Sequence, residues 1–150
     1  MKNILKLLFL FTFLLSLHAN AQITKVDDWE TAQNEAISQN KNILIILTGS
    51  EWCKPCIKME KNVIETSDFE NYANNNLILF EINLPRHQDL NSKIYKDYNY
   101  FKNKYQTNAL PSLILVESDG KKIAKMTNGV TSKEKVLNML IQNDTVLRNL

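Results

Sequence analysis

Seven consecutive residues, Asn42–Thr48 (NILIILT), form an apolar, β-branched run that is followed at once by Gly49-Ser50-Glu51. A short run with no polar alternation reads as a strand buried on both faces. Both faces of such a strand need apolar partners, so it belongs inside a layered α/β domain. Residues 77–84 (LILFEINL), ended by Pro85, are a second run of this kind, and residues 113–117 a third. Asp119-Gly120 is a hairpin turn signal, and residues 121–127 form its returning strand.

Helical patterns separate these runs. Trp29, Ala32, Ala36 and Ile37 recur at helical spacing behind Asp27 and Asp28, which predicts a capped helix to about Gln39. From Lys54 to about Glu65, Ile57, Glu60 and Ile64 mark another helix, and Ser67-Asp68 recaps a short one through Ala73. From Asn91 to about Tyr105, Ile94, Tyr98, Phe101 and Tyr105 share one face, as a core-facing stripe does. Thr131 or Ser132 caps a last helix from Lys133 to about Asn143. The order α-β-α-α-β-α-β-β-α predicts a three-layer α/β/α fold with a central mixed sheet and a C-terminal hairpin plus helix.

The first 21 residues read as a cleaved export signal. Lys2 and Lys6 form the basic region, and residues 7–17 form an apolar stretch broken only by Thr12 and Ser16. His18-Ala19-Asn20-Ala21 supplies a small-x-small pattern, with cleavage expected before Gln22. That stretch is short of the roughly 20 residues a spanning helix needs. The remaining body, residues 22–150, is expected to be one domain, periplasmic or secreted, touching the membrane only through the signal. The chain carries 18 basic and 16 acidic residues, and both excess positives lie in the signal. A neutral body offers no basic surface for nucleic acid.

The body has two cysteines, three positions apart, in Trp52-Cys53-Lys54-Pro55-Cys56. The motif falls where a buried strand hands over to a helix. Cys53 at the N-cap would receive free backbone N–H groups and the positive end of the helix dipole, which favours the attacking thiolate. Lys54 adds a positive charge, and Pro55 suits the first helical turn. Cys56, one turn on, can attack a mixed disulfide formed at Cys53. Trp52 would wall the sulfur. Structural zinc needs four ligands, and only Cys53, Cys56 and His87 are on offer. Covalent haem needs His where Ile57 stands. An inert disulfide across two residues closes almost no loop and stabilises little. A redox pair is the reading that remains. His87 reads as a solvated loop residue.

Together with Ala109-Leu110-Pro111-Ser112-Leu113 opening a strand, then Asp119-Gly120-Lys121 and Gly129, the motif resembles the thioredoxin superfamily. Within it, Lys41-Asn42-Ile43-Leu44 leading to Thr48-Gly49-Ser50-Glu51-Trp52-Cys53 is similar to small exported thioredoxin-like proteins and to the C-terminal domain of membrane thiol reductant conductors. The resemblance implies a cis Leu110–Pro111 bond against the cysteine pair, with the Leu110 backbone docking an extended peptide. One departure is Leu47, which stands where the family carries a buried Asp, so no proton relay is assigned. Glu51, beside Trp52, takes the place of an exposed residue. The other departure is the stretch 86–100, from Arg86 to Tyr100, longer than the minimal connection and read as a surface elaboration, with a substrate-selecting loop as the alternative.

The expected function is thiol–disulfide exchange on protein substrates outside the cytoplasm. The redox disulfide Cys53–Cys56 stands in for any dissociable cofactor, and no metal is expected. The reductase or isomerase direction is favoured, with an upstream electron donor such as a membrane thiol reductant conductor. Two rivals stay open: a non-catalytic binding module on the same fold, and a thiol chaperone for cytochrome c or copper-protein assembly.

Overall fold

The computed structural model describes residues 23–144, so the expected export signal and its cleavage site lie outside the described residues. Five strands form one sheet: β1 (Lys25–Val26), β2 (Asn42–Thr48), β3 (Leu77–Asn83), β4 (Ser112–Val116) and β5 (Lys122–Met126). Their spatial order is β1-β3-β2-β4-β5. β1 and β2 pair parallel to β3, while β2–β4 and β4–β5 are antiparallel, so the sheet is mixed as expected. The helices are α1 (Trp29–Gln39), α2 (Lys54–Met59), α3 (Ser67–Asn76), α4 (Lys93–Lys104) and α5 (Lys133–Asn143). A π-helical turn, Glu60–Ile64, continues α2.

All seven residues of β2 are buried, as a central strand covered on both faces must be. Its alternation sorts the core into two layers. Leu44 and Ile46 pack with Met59, Val63, Phe69 and Leu140, from α2, the π turn, α3 and α5. Ile43, Ile45 and Leu47 pack with Ala32, Ala36 and Phe101, from α1 and α4. On that side Trp29, Phe80 and Phe101 meet with centroids 5.0 to 5.3 Å apart, mostly edge to face, a geometry that adds to simple burial. The aromatic stripe of α4 is therefore core.

The caps follow the sequence. Asp28 accepts the Thr31 N–H at the start of α1, and Ser132 accepts the Lys135 N–H at the start of α5. Gly120 takes φ +84° in the β4–β5 turn, where a side chain would be strained. Three expectations are corrected. β1 is an added strand, too short to show in the pattern, and it exists through its pairing with β3. Ile37 is 67% exposed, because the inward stripe of α1 is Trp29, Ala32 and Ala36, and Ile37 is turned about 100° from Ala36. Ile57 is 45% exposed, since α2 turns Cys56 and Met59 inward instead.

Candidate active site

Parallel β2 and β3 end at the same pole of the sheet, and antiparallel β4 begins there. Three loops therefore leave that pole side by side, in the order of their strands. The central one, from β2, carries the cysteine motif. Gly49 shapes it. Its carbonyl accepts the N–H groups of both Trp52 (3.0 Å) and Cys53 (2.8 Å), folding the chain into a tight turn before α2. A Cβ on Gly49 would lie 2.8 Å from the Trp52 ring, so the indole rests on bare backbone.

Cys53 is the N-cap of α2, and its sulfur accepts the Cys56 N–H at 3.3 Å. The two cysteines are joined as a disulfide. Cys53 is 7% exposed and Cys56 fully buried, so of the two cysteines only Cys53 meets solvent. Pro55 occupies the first turn, and Lys54 and Pro55 are both exposed. Trp52, half-buried, donates its Nε1–H to the Leu84 carbonyl at 2.8 Å. The Ser50 N–H donates to Asn83 Oδ1 at 3.0 Å, and the Asn83 amide donates back to Ser50 Oγ at 2.6 Å. The motif loop and the end of β3 are thus one unit. Neither the Ser50–Asn83 pair nor the Trp52–Leu84 bond carries a sequence signal, because the partners lie more than thirty residues apart and one of them is a backbone carbonyl.

On the other flank, the Leu110–Pro111 peptide is cis, and the Leu110 carbonyl oxygen lies 3.8 Å from Cys53 Sγ. The disulfide has no S–H to donate, so this is a contact, with the carbonyl beside the accessible sulfur. Pro111 is buried and Leu110 half-buried. Ser112 Oγ, also buried, donates to the Ala109 carbonyl (2.6 Å) and bonds Thr107 Oγ1 (2.7 Å), closing the loop on itself. Lys125 of β5 donates to the carbonyls of Tyr105 (3.1 Å) and Gln106 (2.7 Å), where α4 ends. Lysine at a helix C-terminus suits both the orphan carbonyls and the dipole.

Leu47 is buried, opposite Ile82 of β3 and Ser112 of β4, so its position is apolar. Charge enters the helix side one turn past Cys56, at Glu60. Lys25 of β1 bridges Glu60 (2.5 Å) and Glu81 of β3 (2.7 Å). Burial is the largest single influence on Lys25 and lowers its pKa. Its hydrogen bonds to the two carboxylates and their charges together outweigh burial and raise the pKa above the ordinary lysine value. His87 is exposed in the β3–α4 connection.

Comparison with known proteins agrees with this geometry. The thioredoxin-like domain family matches residues 29–143. A Chlamydia pneumoniae protein named disulfide bond reductase DsbH is 28% identical over 101 residues, covering 65% of this chain and 61% of its own. The thioredoxin-related protein DsbJ of the same organism is 26% identical over 130 residues, covering 80% of this chain and 37% of its own. The matches thus span about three-fifths and about two-fifths of those relatives. Among solved structures, a DsbH oxidoreductase aligns with TM-score 0.67 at 21% identity, over 87% of this chain and 94% of that one. A Thermus thermophilus thioredoxin aligns with TM-score 0.61 at 11% identity, over 81% and 87%. At such identities the structural likeness shows the fold alone.

Proposed function

The chain belongs to the thioredoxin-like family, and on that premise we propose that it is a thiol–disulfide oxidoreductase acting on protein disulfides outside the cytoplasm. The observation that carries this is the asymmetric pair at the start of α2: Cys53 accessible and hydrogen-bonded at the N-cap, Cys56 fully buried behind it. In the reduced protein the Cys53 thiolate attacks a substrate disulfide, forming a mixed disulfide and releasing one substrate thiolate. The Cys56 thiol loses its proton and attacks Cys53 Sγ. The internal disulfide re-forms and the second substrate thiolate leaves, so the substrate gains two electrons and Cys53–Cys56 loses them.

The N–H of Cys56 and the α2 N-terminus stabilise the Cys53 thiolate, with Lys54 adding positive charge. Trp52 and Pro55 flank the sulfur. Leu110 and Pro111 form the docking edge, where the half-buried Leu110 backbone can pair with an extended peptide. The reducing direction is favoured by Pro before the second cysteine and by the reductase name of one relative. Electrons would then come from an upstream dithiol donor, for which a membrane thiol reductant conductor has the right chemistry. The expected export signal places the reaction in the periplasm or medium, and no helix among the described residues is long and apolar enough to cross a membrane.

The test is reduction of insulin by dithiothreitol. The mature protein should accelerate it and Cys53→Ser should not. Equal rates for the two would reject the enzyme reading and leave a binding module.

A further inference from the structure

We infer that the hydroxyl of Thr48, at the end of β2, donates a hydrogen bond to the Cys56 sulfur in the reduced protein and stabilises the thiolate that resolves the mixed disulfide. The inference deepens the oxidoreductase reading above, on which its part in the reaction rests. It starts from an orphan. Thr48 is fully buried, and its Oγ1 has no hydrogen-bond partner. Such groups are uncommon, because a buried hydroxyl without a partner has lost its water and gained nothing in exchange. Among the described residues, the other atoms of this kind are one oxygen each of Glu60 and Glu81, and both carboxylates are paired with Lys25. Thr48 has no such relief.

Strand register and helix direction put this hydroxyl beneath the disulfide. Side chains of β2 alternate, so Thr48 points to the same face as Leu44 and Ile46, the face covered by Met59 and Val63. Leu47 points to the other face. The chain leaves β2 at the active pole, and α2 runs back from there over the Met59 face. Thr48 lies two residues beyond Ile46 towards the pole, about 7 Å along the strand. Cys56 lies three residues before Met59 in the same direction, about 4.5 Å along the helix. Cys56 therefore stands over Thr48 as Met59 stands over Ile46, and both are shut off from solvent. The neighbouring strand gives the same placement. The antiparallel register that pairs Leu47 with Ser112 sets Pro111 beside Thr48, and the carbonyl that precedes Pro111 lies 3.8 Å from Cys53 Sγ.

The disulfide leaves the hydroxyl idle, and the reaction supplies its partner. Joined to Cys53, the Cys56 sulfur is uncharged and a weak acceptor. Reduction frees it, and loss of its proton leaves a full negative charge on a residue with no exposure. The backbone N–H of Cys56 is already committed to Cys53 Sγ. A buried thiolate needs a donor, and Thr48 Oγ1–H is one with nothing else to bond. The hydroxyl keeps its own proton throughout, so the electron and proton count of the exchange is unchanged.

The experiment equilibrates the mature wild type, Thr48→Val and Thr48→Ser with reduced and oxidised glutathione and measures the dithiol-to-disulfide ratio of each. Valine keeps the branched shape that suits a buried strand, and serine keeps the hydroxyl. A hydroxyl that passes from orphaned to hydrogen-bonded on reduction is worth on the order of tenfold in that equilibrium. Thr48→Val should therefore favour the disulfide about tenfold more than wild type does, a potential about 30 mV more negative. Thr48→Ser should stay near wild type. Urea unfolding of Thr48→Val in both redox states should show the dithiol form weakened relative to the disulfide form. A hydroxyl with a structural role alone moves both forms equally and leaves the ratio where it was. A shift below about threefold, a shift towards the dithiol, or a Thr48→Ser protein that matches Thr48→Val overturns the inference. A wild type that fails to accelerate insulin reduction rejects the oxidoreductase reading instead, and with it the part given to Thr48 in the reaction, whatever the ratio does.

Discussion

The ring of Trp52 lies against the backbone of Gly49, so close that a Cβ there would sit 2.8 Å from the indole, while the indole N–H is held 2.8 Å from the Leu84 carbonyl. Glycine is required at position 49 for close approach, since the indole is held through Nε1, itself among the atoms nearest that Cβ, and cannot swing aside freely. Gly49→Ala should therefore cost about 1–3 kcal/mol through overpacking. It should also slow insulin reduction beyond what the loss of stability explains, because the displaced indole shifts the motif loop against Leu84 at the end of β3. Urea unfolding and insulin reduction on the same variant check this. A Gly49→Ala protein as stable and active as wild type would show that the indole relaxes at no cost.

The proposed order of events, Cys53 attacking and Cys56 resolving, rests on the unequal burial of the two residues. With Cys56→Ala, Cys53 can still attack but nothing resolves the product, so mixed disulfides with client proteins should accumulate and run as dithiothreitol-sensitive bands on non-reducing gels. Cys53→Ser should give none. Trapping by the Cys53→Ser variant instead would reverse the roles.

Ser112 ties the Leu110 loop from inside, through Thr107 Oγ1 and the Ala109 carbonyl. Ser112→Ala removes a partner from the buried Thr107 hydroxyl and from the part-buried Ala109 carbonyl, at a cost of about 1–3 kcal/mol. The loop that presents Leu110 should loosen, so KM for a polypeptide should rise more than kcat falls. Ser112→Thr, which keeps the hydroxyl, should recover most of the affinity. A stability loss with unchanged KM would confine the hydroxyl to a structural role.

The legible parts of the sequence were those fixed by local pattern. β2 and α5 have the bounds their residues predict, because an unbroken apolar run and a Ser132 cap are both local statements. β1 was not legible: Lys25 and Val26 carry no strand pattern of their own and are held by pairing with β3. The inward face of α2 departs from the local pattern at Ile57, where Cys56 and Met59 turn inward instead, while Ile64 is buried as its spacing predicts, and the π turn buries its neighbour Val63 with it. In the site, the cysteine pair and Pro111 were visible as residue types at fixed spacing. The Ser50–Asn83 pair, the Trp52–Leu84 bond and the Thr107–Ser112 clamp depend on which strands are neighbours, which no local window contains.

Lys25 offers a test with a definite pH sign. It joins the edge strand β1 to Glu60 on the active helix and to Glu81 on β3, with Nζ 2.5 and 2.7 Å from the two carboxylates. Its pKa in the fold is raised above 10.5, the value of the free side chain. A raised pKa means that the folded protein holds this proton more tightly than the unfolded chain does. The stabilisation is fully present below pH 10.5 and is lost as pH rises through the folded value. At about pH 8, Lys25→Met should be less stable than wild type by about 2–4 kcal/mol, because it leaves two neighbouring carboxylates without their cation. At about pH 11, above 10.5, the unfolded chain gives up a proton that the fold still favours, so part of the stabilisation is gone and the gap between the two proteins should narrow. Chemical denaturation of both at the two pH values measures the gap. A gap of equal size at both would mean that Lys25 acts through the packing of its aliphatic stem, and the charge bridge beneath the active helix would carry no stability.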